Sequence, residues 1–276
     1  MELSASQRLT RTIIVIWTCV VIFFLYVPMA AIILASFSKQ RYFRFPISTW
    51  TTEWYTKTLE SLSVRDLLWT SLSVALLVTL FSVLLAFFGA LAFARYEWKG
   101  RKLYQRLVLL PIFFPQAVLG LALLLWFSAI GVTTSWQTAV FAHMIWIVPI
   151  VVLIMSIQVY SFDPALEEAA FDLGASRWQV LREITLPILS PGIISGGIFA
   201  FLLSWGNFPL SLFSTGADQT VPEWLYAKMV SGYTPQVPTL GSLTMSGATV
   251  FLIVVYIAWL ALTARSRRMR GRAAAE

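Results

Sequence analysis

The sequence is poor in charge and in the residues that build polar sites. Only 12% of its 276 residues are Asp, Glu, Lys or Arg, about half the share in an average soluble domain. It has one cysteine, Cys19, one histidine, His143, and one asparagine, Asn207. A single cysteine excludes an intrachain disulfide, and one Cys with one His excludes a Cys/His zinc site made by this chain alone. No GxxxxGK[ST] run occurs, so the chain cannot hydrolyse a nucleotide through a phosphate loop of that form. One histidine, with no acid in the apolar stretches, supplies neither a catalytic triad nor a metal constellation.

Apolar surface is abundant instead. Hydrophobic residues make up 58% of the chain and mean hydropathy is +0.77. They gather in six runs, about 13–37, 68–94, 104–130, 136–160, 187–213 and 240–264, whose cores lack Asp, Glu, Lys and Arg. Runs of this length cross the roughly 30 Å hydrocarbon layer as helices, which satisfy their own backbone hydrogen bonds in lipid. The 12 Trp and 9 Tyr fit aromatic belts at the two interfaces. The expectation is an all-α membrane protein, with residues 1–276 forming a single transmembrane domain.

Basic residues orient it. The first run is too long for a signal-peptide core and follows Arg8 and Arg11, which reads as an uncleaved signal anchor with its N-terminus inside. Segments on the side of the termini then carry 14 of the 20 Lys and Arg, including Arg265, Arg267, Arg268, Arg270 and Arg272. The positive-inside rule places both termini in the cytoplasm. The pI of about 9.8 is therefore topological charge, and no basic patch is laid out for nucleic acid. In the outer segment 38–66, Trp50, Trp54, Tyr55 and Leu59 have helix-like spacing and predict a short interfacial helix. The outer segment 214–239 carries Gly216, Pro222, Gly232, Pro235 and Pro238 and is expected to be turn-rich.

The polar break at 161–186 carries the most information. Asp163-Pro164 is a helix start, with Asp as N-cap and Pro at the first position. Leu166, Ala169, Ala170 and Leu173 then form one apolar stripe, with Glu168 and Asp172 on a neighbouring face. Gly174 can adopt positive φ and stop this helix, and Ser176 can cap a second short one containing Trp178, Val180, Leu181 and Ile184. Two short helices joined at a tight glycine turn would present a surface suited to a groove of another protein. The alternative is a solvated loop that only joins two spans.

Glu168-Ala169-Ala170, Gly174, and then Ile184, Leu186 and Pro187 match the EAA loop of ABC importer permeases at every spacing, ahead of the penultimate span. Leu173-Gly174-Ala175-Ser176, Thr185-Leu186-Pro187 and Ser214-Thr215-Gly216 further resemble the spermidine/putrescine-type permeases, specifically their second permease subunit. The resemblance implies a type I importer permease fold of six transmembrane helices in the bacterial cytoplasmic (inner) membrane. The chain would be a non-catalytic permease subunit. Its coupling residues would be Glu168, Ala169, Ala170, Asp172, Gly174, Arg177 and Trp178. It further implies two ATPase subunits that bind ATP and Mg, a second homologous permease, and an external periplasmic or lipid-anchored solute-binding protein. Alternating access would carry a small polar solute inward. This chain itself would bind no cofactor.

Polar groups inside lipid are costly and need a reason. Asn207 lies in Ser204-Trp205-Gly206-Asn207-Phe208-Pro209, where Gly and Pro can break the fifth span and free backbone groups to line a cavity. Pro111-Ile112-Phe113-Phe114-Pro115-Gln116 is the comparable element of the third span, and His143 lies in the fourth. Gln116, His143, Trp205, Asn207 and Phe208 are thus candidate solute-pathway residues. Each has a plainer alternative in packing or in an interhelical hydrogen bond. Polyamine-type relatives tend to carry acidic residues where this chain has Gly206-Asn207, and a desolvated cation wants carboxylates. Polyamine is therefore one candidate among several, since related permeases serve thiamine, ferric iron and organophosphonates. The competing function is a secondary transporter working without ATP, which normally needs an intramembrane ion-coupling group that these spans lack.

Overall fold

The computed structural model describes residues 5–41 and 44–273, with side chains described from Leu9 to Ala261. Arg8 and the basic cluster from Arg265 onward, both used for orientation, lie outside the described side chains. Five described helices are long and apolar enough to cross a bilayer: Leu9–Ser36, Leu62–Arg95, Trp136–Tyr160, Arg177–Trp205 and Gln236–Ala261. A sixth span arises if the bent pair Arg101–Phe113 and Gln116–Ala129 is counted as one. The described residues fall into two compact units, 1–64 with 227–276, and 65–226.

In the first unit, α1 (Ala5–Ser36) packs on α12 (Gln236–Ala273), and α2 (Glu53–Glu60) packs on α12 as well. A Cβ on Gly241 would sit 3.7 Å from Ile32 Cγ2, an ordinary contact distance between α1 and α12. Ser36 Oγ lies 2.6 Å from the Tyr55 hydroxyl, which lies 3.2 Å from Ser242 Oγ. Ile13, Phe23, Phe24 and Ile257 on α1 and α12 are exposed, as lipid-facing side chains are. The interfacial helix expected near Trp50 is α2, but it begins at Glu53. Trp50 instead pairs with Ser38 in an isolated antiparallel bridge.

In the second unit, α6 (Trp136–Tyr160) is the central helix. It buries Ile147, Val151, Val152 and Met155 against α3 (Leu62–Ala90) and α9 (Leu186–Trp205). α9 meets it through small residues four apart, Gly192, Gly196 and Ala200, all buried. A Cβ on Gly192 would lie 2.9 Å from Gln158 Cβ, and one on Gly196 would lie 2.9 Å from Val151 Cγ1. Lipid gives little hydrophobic drive between helices, so such close backbone approach is what holds them together.

Three expected elements differ. The third run is no straight span. α4 (Arg101–Leu109) continues into a 3-10 turn, Leu110–Phe113, and meets α5 (Gln116–Ala129) at 101°. Pro115 disfavours helical backbone at Phe114, which is extended at φ −82°, ψ 134°, and Pro115 itself donates no backbone hydrogen bond. α4 instead turns back on α3, where Arg101 Nε and Gln105 Nε2 donate to Phe93 O (3.1 and 2.7 Å) and satisfy a helix-end carbonyl. The fifth run stops as a helix at Trp205 and resumes as α10 (Pro209–Ser214). The outer segment 214–239 has turns at Gly216 and Gly232, yet it also contains α11 (Val221–Ser231). There Thr220 N and Oγ1 donate to Glu223 Oε2 (2.7 and 2.6 Å), a capping arrangement that Thr220 and Glu223 spell in the sequence.

Candidate coupling site

The break between the fourth and fifth spans folds as two short helices, α7 (Ala165–Asp172) and α8 (Arg177–Val180). Asp163 Oδ1 accepts from Ala165 N (3.0 Å), so it caps α7 as its sequence suggests, although the helix begins after Pro164 rather than at it. α7 ends in a Schellman turn: Ala175 N donates to Ala170 O (3.0 Å) and Gly174 N to Phe171 O (2.9 Å). Gly174 stands at φ +85°, where other L-residues are strained. Ser176 then caps α8: its backbone N donates to Gln179 Oε1 (2.8 Å), and Gln179 N donates back to Ser176 Oγ (3.3 Å).

This frame presents Leu166, Glu168, Ala169, Asp172, Leu173, Arg177 and Trp178 on the surface. Leu173 is 89% exposed and Trp178 66%. The exposed apolar side chains are ringed by both charges, on backbone whose hydrogen bonds are already met. Of the expected coupling residues only Ala170 and Gly174 shape the turn; the others face outward.

Glu167, which sequence pattern alone did not single out, holds the loop down. Its Oε2 lies 2.6 Å from Arg95 Nη2 at the end of α3's π-turn, Leu91–Arg95. Its Oε1 accepts from Thr185 Oγ1 (2.6 Å) at the end of a second π-turn, Leu181–Thr185, that leads into α9. The Arg95 guanidinium also lies 4.8 Å from the centre of the Phe162 ring. The available signal was its place in the first turn of α7, one residue before Glu168, but the partners are 72 and 18 residues away in the chain.

The candidate pathway residues divide. His143 is fully buried between the two halves of the broken span, with Nδ1 2.9 Å from Ser204 Oγ and Nε2 3.0 Å from Ser211 Oγ. Ser211 Oγ donates to Asn207 O (2.7 Å), so it accepts from His143 Nε2–H, and His143 Nδ1 accepts from Ser204. Asn207 is also buried, and its Oδ1 accepts from Leu210 N (3.0 Å), capping α10. Trp205 is half-buried and stacks on Phe201 (5.8 Å), while Phe208, also half-buried, lies 4.6 Å from Tyr226. Gln116 is half-buried in the first turn of α5 and is not bonded to His143 or Asn207. Among the described residues no group of three or more His, Cys, Asp or Glu is placed to hold a metal.

Comparison with known proteins gives a family. Residues 82–270 match the model of the binding-protein-dependent transport system inner membrane component. The spermidine/putrescine transport system permease protein PotC of Escherichia coli (strain K12) is 29% identical over 231 residues, 83% of this chain and 87% of PotC. The putrescine transport system permease protein PotI of the same organism is 29% identical over 257 residues, 90% of each chain. A chain of a bacterial ABC transporter involved in the import of the acidic polysaccharide alginate has the same fold. Its TM-score is 0.70 at 18% identity, covering 91% of this chain and 95% of that one. A chain of the MetNI methionine ABC transporter, in an inward-facing conformation, gives 0.56 at 16% identity over 74% and 98%. A helical membrane chain, matched by that family model over more than half its length, belongs to the binding-protein-dependent transport system inner membrane components, the permeases of ABC importers.

Proposed function

We propose that this chain, residues 1–276 acting as one transmembrane permease domain, is half of the membrane channel of an ATP-driven importer for a small polar solute. The other half is a homologous permease, and two ATPase subunits that carry ATP and Mg sit on the cytoplasmic side. An external binding protein delivers the solute. Both termini lie in the cytoplasm, and this chain holds no cofactor.

The observation that carries the reading is the surface of α7 and α8, where Leu173 and Trp178 stand exposed beside Glu168, Asp172 and Arg177. A soluble loop has no reason to show these side chains, whereas an ATPase groove would cover them. Differential contacts of the ATPases with this surface in their two states then bias the permease between inward-open and outward-open forms. The chain has no acid in the cores of its spans, so coupling to an ion gradient has no carboxylate to work through there.

Polyamine is the first solute class to try, because PotC and PotI are named for spermidine and putrescine. His143 acts by holding the broken span open, since both its ring nitrogens are already bonded to Ser204 and Ser211, and Asn207 spends its Oδ1 on Leu210 N. The half-buried Gln116, Trp205 and Phe208 are the better candidates for contact with a passing solute.

Purification of the tagged chain from its native membranes in mild detergent, with mass spectrometry of the co-purifying proteins, tests the assembly. Recovery of an ATPase, a second permease and a binding protein is expected, and that binding protein should retain radiolabelled spermidine or putrescine if the solute assignment is right. Gly174→Asp should leave the chain inserted and abolish uptake. A chain recovered alone or as a homo-oligomer would refute the importer reading.

A further inference from the structure

Two π-turns, each closed by a backbone bond across five residues, end on residues that grip the same carboxylate. Tyr96 N donates to Leu91 O at the foot of α3, and Leu186 N donates to Leu181 O at the head of α9. π-turns are rare, well under about 1% of residues, and they collect at functional sites. Each inserts one residue into a helical turn. The last residues of the two turns are Arg95 and Thr185, and Glu167 of α7 lies between them, one oxygen 2.6 Å from each. The ion pair is well shielded, with side-chain exposures of 13% for Arg95 and 19% for Glu167, and Thr185 is buried. A charged hydrogen-bonded pair out of water is stronger and stiffer than one on the surface. Arg95 also covers Phe162, the residue before the Asp163 cap, so both the approach to α7 and its first turn are fixed to α3.

We propose that Glu167 is the positioning residue that latches the coupling helix α7 to two membrane spans at once, α3 through Arg95 and α9 through Thr185. The neighbouring Glu168 faces outward and is available to a partner; Glu167 faces inward and converts displacement of α7 into displacement of both spans. Without the latch, α7 still docks, but its movement is absorbed in the loop. The proposal rests on the reading of α7–α8 as the ATPase-docking surface and adds how that surface is tied to the membrane helices.

The test uses the complete transporter in proteoliposomes and measures solute taken up per ATP hydrolysed, alongside recovery of the ATPase with the tagged permease. Glu167→Ala and Glu167→Gln should retain the ATPase while uptake per ATP falls about tenfold or more, as loss of a shielded charged contact worth a factor of ten implies. The exchange Arg95→Glu with Glu167→Arg should recover part of the ratio. Thr185→Ser, which keeps the hydroxyl, should behave as wild type, and Thr185→Val, which keeps only the shape, should not. An unchanged ratio in Glu167→Ala with the ATPase retained would overturn the latch and leave the docking surface standing. Loss of the ATPase in Glu167→Ala but not in Glu168→Ala would overturn it too, by making Glu167 a docking residue. If Glu167 variants fail to accumulate, equal ratios for Thr185→Val and Thr185→Ser refute the latch independently. A wild-type chain that recovers no ATPase removes the docking surface itself.

Discussion

Substitution of Gly174 separates backbone conformation from side-chain size, because a Cβ there would meet no atom within 4 Å. Only the φ of +85° resists replacement. Left-handed backbone costs a non-glycine residue about 1–2 kcal/mol, and Asn or Asp less, since their short polar side chains bond locally. That cost shifts the closed turn about 5- to 30-fold toward open forms. The expected order of protection is therefore Gly, then Asn, then Ala and Leu together, with β-branched Val last. Asp should fall below Asn, because a second charge beside Asp172 at the negative end of α7 adds about 0.3–1 kcal/mol of repulsion. Hydrogen exchange of the peptide spanning 165–176, measured on the detergent-solubilised chain, reads this directly through the amides of Gly174 and Ala175. A Leu variant far less protected than Ala would mean that the space is not open. An Asn variant no better than Ala would mean that φ is not what the glycine supplies. Gly216 is the control: its φ is +65°, but a Cβ would sit 2.3 Å from Thr134 O, so Asn should rescue nothing there.

Other outcomes rest on the same geometry. Gly196→Val should lower the melting temperature of the solubilised protein, because its Cβ would lie 2.9 Å from Val151 Cγ1 and overpacking costs about 1–3 kcal/mol. Gly197→Ala, 3.5 Å from Val83 Cγ2, should leave that temperature within error; equal effects would refute close packing of α6 on α9. His143→Ala should lower stability by about 1–3 kcal/mol, by removing the bonds to Ser204 and Ser211 and leaving a void. The KM for uptake should stay unchanged; a raised KM with normal stability would instead make His143 a solute contact. Pro115→Ala should restore a backbone donor and relax Phe114, so that helical content by far-UV circular dichroism rises; no change would show that packing of α4 on α3, rather than proline, sets the bend.

Much of the architecture is legible in the chain. The apolar runs become spans because lipid leaves a backbone no other partner, and their places agree with the described helices to within several residues for four of the six. The turn at Gly174 was legible because its bonds are local: Asp163, Gly174 and Ser176 act on neighbours two or three residues away or on their own φ. The breaks at Pro115 and Gly206-Asn207 were marked by proline and glycine, but their consequences were not. At the 101° bend, a side-chain hydrogen bond from Gln105 to Phe93 O accompanies the backbone donor missing at Pro115.

Pairings between residues far apart in the chain emerged only on folding. Glu167 and Glu168 are neighbours of the same chemistry, and no local rule says which one turns inward; Arg95 and Thr185, brought together by two π-turns, make that choice. Likewise His143 and Asn207 looked alike as isolated polar groups in lipid. Folding placed Ser204 and Ser211 on either side of the imidazole and gave it a structural task. Where the chain enters lipid and where it turns are written in the order of its residues, because both depend on solvation and on single-residue backbone preferences. Which polar group meets which is settled by the packed helices, because burial demands a partner without specifying which one.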